Sequence, residues 1–190
     1  MRGKLIVLEG IDNSGKTTQV SRISDWFKTR GAATFITKEL TTPIGDLIRS
    51  YMGNAVFTPI LKTLLFAADR MQRLEQEINP ALNSNTIVLA DRWTLSAVAY
   101  RAAEGIDRQF VLQVNSLTRA PDTTILIDIN PDEAWKRAQI NQRPCPYSKN
   151  FLKKVRQNYL ELARQSQIPV VDGSQTPEQV STAITQLISN

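Results

Sequence analysis

A chain of 190 residues, 42% hydrophobic and 22% charged, suits one globular domain with a sizeable core. It contains no histidine, which excludes imidazole acid–base catalysis, Ser-His-Asp triads and His-ligated zinc. Any metal should then be a hard, oxygen-ligated ion, Mg²⁺ above all. The net charge of +5 attracts anions, and nucleotides satisfy it as well as a nucleic acid would. No stretch is long and apolar enough to cross a bilayer, the start lacks the apolar core of a secretory signal, and the lone Cys145 cannot form an internal disulfide. The expectation is a cytoplasmic protein with no membrane partner.

The run Leu5-Ile6-Val7-Leu8 predicts a strand over 5–9. It enters Gly10-Ile11-Asp12-Asn13-Ser14-Gly15-Lys16-Thr17, a full match to G-x-x-x-x-G-K-[ST], and a helix-compatible stretch from Gln19 to Arg30 leaves it. An ordinary glycine turn is the plainer alternative, but strand, loop and helix all agree with a phosphate cradle. Gly10 and Gly15 permit backbone angles that a side chain opposes, so successive amides can turn inward on phosphate oxygens ahead of a helix N-terminus. Lys16 can reach the β- and γ-phosphates, and the Thr17 hydroxyl can ligate Mg²⁺. ATP is thus expected on residues 10–18, with Thr18 closing the set.

Further strands are predicted at 34–38, 87–91, 124–128 and 169–172, with helical segments between them. Thr58-Pro59 reads as a helix start. Asn130-Pro131-Asp132-Glu133 and Thr176-Pro177-Glu178-Gln179 combine an N-cap, a first-turn proline and nearby acids or amides; Val180, Ile184 and Leu187 then form one apolar stripe. The alternation implies an α/β fold, a five-stranded parallel sheet covered by helices on both faces, with ligands at the carboxyl ends of the strands. The glycine loop and Asp91-Arg92 therefore converge on one crevice. A carboxylate there can hold Mg²⁺ or orient Arg92, and a guanidinium there can clamp phosphate; a structural ion pair is the alternative. Phe66 and Arg70 share a helix face, where they could stack a pyrimidine and donate to its carbonyl, or could simply be packing and a solvated arginine. No repeat or long linker divides the chain, so a single domain is expected over 1–190.

These motifs carry a resemblance. The stretches Leu8–Gln19, Leu65-Phe66-Ala67-Ala68-Asp69-Arg70, Asp91-Arg92-Trp93-Thr94-Leu95-Ser96-Ala97-Val98-Ala99-Tyr100 and Val155–Leu160, together with Thr42–Arg49, resemble the thymidylate kinases of the P-loop nucleoside-monophosphate-kinase superfamily. The resemblance implies the three-layer P-loop kinase fold with a short lid near 137–150, and a homodimer. It implies transfer of the ATP γ-phosphoryl group to dTMP, with no nucleic-acid partner. It places Phe66 against the base, Arg70 at a base carbonyl, Asp12 at the 3′-hydroxyl, Tyr100 under the sugar and Arg92 and Arg49 at the acceptor phosphate. Ser96, Ala97 and Arg101 line the same region, and Glu39 serves the Mg²⁺ or acceptor side. Tyr100 as a core tyrosine and Arg49 as a surface arginine stay open.

The chain departs from the family pattern in places. Asn13 stands where some relatives carry an arginine in the phosphate loop. From Ala134 to Leu160 there is no Asp or Glu but seven Lys or Arg. A lid arginine is therefore expected over the transferring group, Arg143 as the catalytic one and Arg137 near the adenine or phosphates; a solvated basic face or nucleic-acid patch is the alternative. The loop Lys38-Glu39-Leu40-Thr41-Thr42 lacks the Arg-Glu-Pro-Gly-Gly-Thr of many bacterial relatives, and Arg101 replaces a glutamine. Two other functions stay in view: a kinase of another nucleoside or monophosphate, and a nucleotide-binding module without turnover.

Overall fold

A computed structural model describes residues 2–140, 142 and 145–189. Five strands, β1 (Leu5–Glu9), β2 (Thr34–Lys38), β3 (Ile87–Asp91), β4 (Thr123–Asp128) and β5 (Val170–Asp172), form one parallel sheet in the order β2-β3-β1-β4-β5. The expected strands are present with end shifts of one residue. β4 starts earlier because Thr123 pairs with Ile6, and β5 starts later because Pro169 has a carbonyl for the Leu126 amide but no N–H to give.

Alternate residues of the central strands point to opposite faces, and both faces are covered. Ile6, Leu8, Leu89 and Ile127 pack against α1 (Lys16–Lys28) and α9 (Pro177–Ser189). Val7, Val88 and Ala90 pack on the other side against Trp93 and a π-helical turn, Leu74–Ile78. That turn joins α3 (Pro59–Arg73) to α4 (Asn79–Asn83). Next to it, α5 (Thr94–Ala103) lies along α8 (Lys149–Gln165), with α7 (Pro131–Ile140) beyond. Two further helices, α2 (Pro43–Tyr51) and α6 (Arg108–Val114), flank α3.

The caps follow the sequence. The Thr58 hydroxyl accepts from the Leu61 amide, and the Thr176 hydroxyl from Gln179, whose side-chain oxygen accepts from the Thr176 amide. The third-position partner is thus Gln179, closing a reciprocal box. Two expectations need correction. α1 begins at Lys16, since Gly15 turns left-handed at φ 100° and the helix starts directly after it. The stripe on α9 buries Val180 and Ile184, but Leu187 is exposed, on a groove it shares with Val170 and Val171 of the edge strand. Of the span 137–150 expected to hold a lid, residues 137–140 are helical in α7 and 149–150 in α8.

The stretch after β2 takes a shape of its own. Leu40 adopts a left-handed backbone, φ 68°. Its amide donates to Asp69 Oδ2 at 3.2 Å, and its carbonyl accepts from Arg49. Asp69 is fully buried and also accepts from the Thr42 hydroxyl at 2.7 Å, while Thr42 caps α2 by accepting from the Gly45 amide. A β-carbon on Gly45 would stand 2.5 Å from the Leu40 backbone. Gly45→Ala should therefore lower stability by about 1–3 kcal/mol despite the better helix propensity of alanine, because the loop must shift. Thermal melts of the two proteins check this.

Candidate active site

The loop between β1 and α1 is held from within. Gly10 has φ 149°, and a β-carbon there would lie 2.4 Å from the Ile127 carbonyl oxygen. Lys16 folds back over the loop, with Nζ donating to the Ile11 carbonyl at 2.8 Å and to Ser14 Oγ at 3.4 Å. Burial, with help from the nearby Arg92 charge, lowers the Lys16 pKa to about 8, though Asp91 and Asp12 oppose the shift. Residues Asn13 to Gln19 line one wall of a cavity of about 390 Å³; Arg137, Gly173, Gln175 and Pro177 form the other. Arg137, on α7, is fixed by bonds to Glu133 and to the Gly173 carbonyl at 2.8 Å.

A second cavity, about 290 Å³, opens at the ends of β2 and β3 between α3 and α5. Phe66, Arg70 and Arg101 line it, with Leu40 and Met52. The Arg101 guanidinium lies 5.7 Å from the centre of the Phe66 ring and pairs with Glu104 at 2.7 Å. Arg70 is buried and reaches Glu39 at 2.9 Å and Asn115 at 2.5 Å. Asp12, Glu39, Asp91, Arg92, Ser96, Ala97 and Tyr100 also line it, with Lys38, Thr63, Pro146 and Tyr147.

Arg92 sits where several elements meet. Its backbone is left-handed, φ 75°. Nη1 donates to the Gly10 carbonyl at 2.9 Å and lies 3.1 Å from the Tyr159 hydroxyl and 3.3 Å from Ser96 Oγ. Nη2 donates to Asp12 at 2.8 Å and to the Tyr100 hydroxyl at 3.0 Å. Burial would raise the Asp12 pKa, but Arg92, Lys16 and the Tyr100 hydroxyl outweigh it and leave the carboxyl below its ordinary value. Beneath lies Glu9, fully buried, accepting from the Trp93 amide at 2.8 Å, the Ser96 amide at 3.2 Å and the Tyr159 hydroxyl at 3.0 Å. Burial raises the Glu9 pKa, with the Ser96 bond and the Arg92 charge acting against it.

Between the two cavities lies a third, about 210 Å³. It shares Asn13, Lys16 and Thr17 with the first and Asp12, Asp91, Arg92 and Pro146 with the second. The Thr17 hydroxyl donates to Asp91 Oδ2 at 2.6 Å on its wall.

Most expected site residues therefore converge. Gly10 and Ile11 contribute carbonyls to Arg92 and Lys16 and do not line the cavities. Arg49 stays outside: it is exposed, paired with Asp46 and bonded to the Leu40 carbonyl, so it braces the cavity wall. Arg143 lies outside the described residues. Sequence reading assigned no role to Glu9, Asp69, Leu40, Tyr147 or Tyr159. Glu9 had a signal, since a carboxylate ending an all-apolar strand is either buried and bonded or misplaced. Tyr147, stacked on Phe151 and packed against Tyr100, had none.

A parallel sheet carrying this phosphate loop, with two cavities joined beside Lys16, defines a P-loop phosphotransferase. A family model described as thymidylate kinase matches residues 8–184. The chain is 36% identical over 200 residues to a probable thymidylate kinase of Pyrococcus horikoshii, covering 100% of this chain and 98% of that protein. It is 38% identical over 187 residues to a probable thymidylate kinase of Pyrobaculum aerophilum, covering 96% and 95%. It is also 38% identical over 204 residues to a thymidylate kinase of Syntrophotalea carbinolica, covering 97% and 94%. The chain belongs to the thymidylate kinase family.

The Lys16 pKa has a measurable consequence. With a folded-state pKa of about 8 against an ordinary 10.5, Lys16 is increasingly neutral above pH 8, while a bound polyphosphate favours the charged form. ATP binding above pH 8 should take up a proton, and affinity should fall with rising pH by up to about tenfold per unit. Titration calorimetry at pH 8.5 in two buffers of different ionisation enthalpy reads the uptake, which Lys16→Met should abolish.

Proposed function

We propose that the chain transfers the γ-phosphoryl group of ATP to dTMP, giving dTDP and ADP, and so serves deoxynucleotide synthesis. The observation that carries this reading is the small polar cavity between the two larger ones. Its walls bring Lys16 and Thr17, from the donor side, to Arg92 and Asp12, from the acceptor side. ATP would occupy the cavity beside Arg137, and dTMP the cavity beside Phe66. The acceptor oxygen of a monophosphate is largely ionised near neutral pH, so no strong base is required. Placement and cations do the work. Lys16 and Arg92 are the proposed catalytic cations, joined by Arg143. Phe66 would stack on the base, Arg70 would donate to it, and Asp12 with Tyr100 would meet the sugar.

Thr17 and Asp91 fit Mg²⁺. Among the described residues no group of three His, Cys, Asp or Glu gathers. A hydroxyl beside one carboxylate at a phosphate loop is the sparse donor set of a magnesium held mainly by substrate phosphates and water. Such an ion, when bound, neutralises charge on the β- and γ-oxygens.

No described helix is long and apolar enough to cross a membrane. The cytoplasm, where ATP is made and used, is the proposed place of action. Ile60 and Leu64 on α3, Leu47 on α2 and Leu112 on α6 are exposed apolar residues on adjoining helices, a face suited to a second copy of the chain.

Coupled ADP release with Mg-ATP should be fast with dTMP, weak with dCMP and lost on adding EDTA. A preference for thymidine over dTMP would overturn the acceptor assignment, because Arg92 would have no phosphate to meet. Sedimentation should give a dimer for the native chain and a monomer for Leu64→Glu.

A further inference from the structure

Tyr159 lies on α8, three turns after that helix begins, and is 1% exposed. Its ring packs with Ile11, Ala99, Leu126 and Val155, as any core aromatic would. Its hydroxyl does something a core does not require. It stands 3.1 Å from Arg92 Nη1, 3.0 Å from Glu9 Oε2 and 2.6 Å from Ser96 Oγ. Its proton goes to Glu9 and it accepts from Arg92, while the Ser96 hydroxyl beside it also donates to Glu9 Oε2. Glu9 is in turn fixed by the Trp93 and Ser96 amides at the entry to α5. Arg92 thus meets a buried carboxylate only through neutral hydroxyls, and it meets Asp12 directly.

We propose that Tyr159 is a positioning residue for acceptor-phosphate recognition: its hydroxyl aims the Arg92 guanidinium by tying it to Glu9 and to helix α8. This rests on the reading of Arg92 as the group that meets the acceptor phosphate. A hydroxyl fixes direction at lower cost than a second carboxylate and adds no countercharge to the one Asp12 already supplies.

The test compares dTMP with thymidine, which differ by the phosphate alone. Titration calorimetry on the full chain gives the affinity ratio for the two ligands. Tyr159→Phe keeps the ring and should lower that ratio about tenfold, as expected for loss of one hydrogen bond to a charged group, with thymidine and ATP affinities within twofold of native. In an Arg92→Ala background the same substitution should leave the ratio unchanged. An unchanged ratio on the native background, an equal loss for both ligands, or an effect that persists without Arg92 would overturn the proposal. If Tyr159→Phe does not fold, Glu9→Gln reads the same tie from its other end, with the same outcomes deciding. A native chain that binds dTMP but releases no ADP would defeat the kinase reading and leave this one standing.

Discussion

The arrangement turns on one guanidinium. Arg92 directly follows β3 and touches the backbone just after β1, a carboxylate in the glycine loop, two hydroxyls of α5 and one of α8. A charge this enclosed persists only where its donors are met, since an unpaired buried ion is among the costliest features a fold can carry. Its partners are fixed in turn: the Tyr100 hydroxyl donates to Asp12, and Tyr159 and Ser96 donate to Glu9. Strand order brings them together: β3 lies next to β1, so register sets Leu8 beside Asp91 and delivers Arg92 onto the loop.

Two cavities meeting at such a charge make a site for moving an anionic group between two anionic carriers. Lys16 is bent inward onto the loop's own carbonyl and hydroxyl. It is therefore held against the loop and does not sweep through solvent. Asp91 does two jobs. Its backbone completes the register with β1, and its carboxylate accepts from Thr17, linking the sheet to the first turn of α1. The same linkage forms part of the wall of the small cavity that joins the two larger ones.

Much of this was legible in the sequence. β1 and β3 are unbroken apolar runs, which only a strand covered on both faces explains, and the glycine loop between Leu8 and Lys16 fixes where the first strand must stop. Thr58, Thr176 and the prolines after them mark helix starts by local chemistry that needs no tertiary partner. What could not be read were effects of distance. Arg49 looks like any helical arginine until the left-handed turn at Leu40 presents it a carbonyl. Asp69 sits in a helix but acts on a loop 27 to 29 positions earlier. Tyr159 and Glu9 are 150 positions apart, and nothing local in either links them. The helical ends of the span 137–150 were equally hidden, since nothing local tells how far α7 runs before the prolines.

Leu40 and Arg92 face the same cavity, and both hold a backbone conformation that side chains disfavour by about 1–2 kcal/mol. Neither is a glycine, although glycine would adopt either conformation more readily. At Leu40 a glycine would relieve the backbone and loosen the wall of the cavity beside Phe66, whereas at Arg92 it would remove the guanidinium that Gly10, Asp12 and Tyr100 meet. Ruggedness is thus open to improvement at the first position and closed to it at the second.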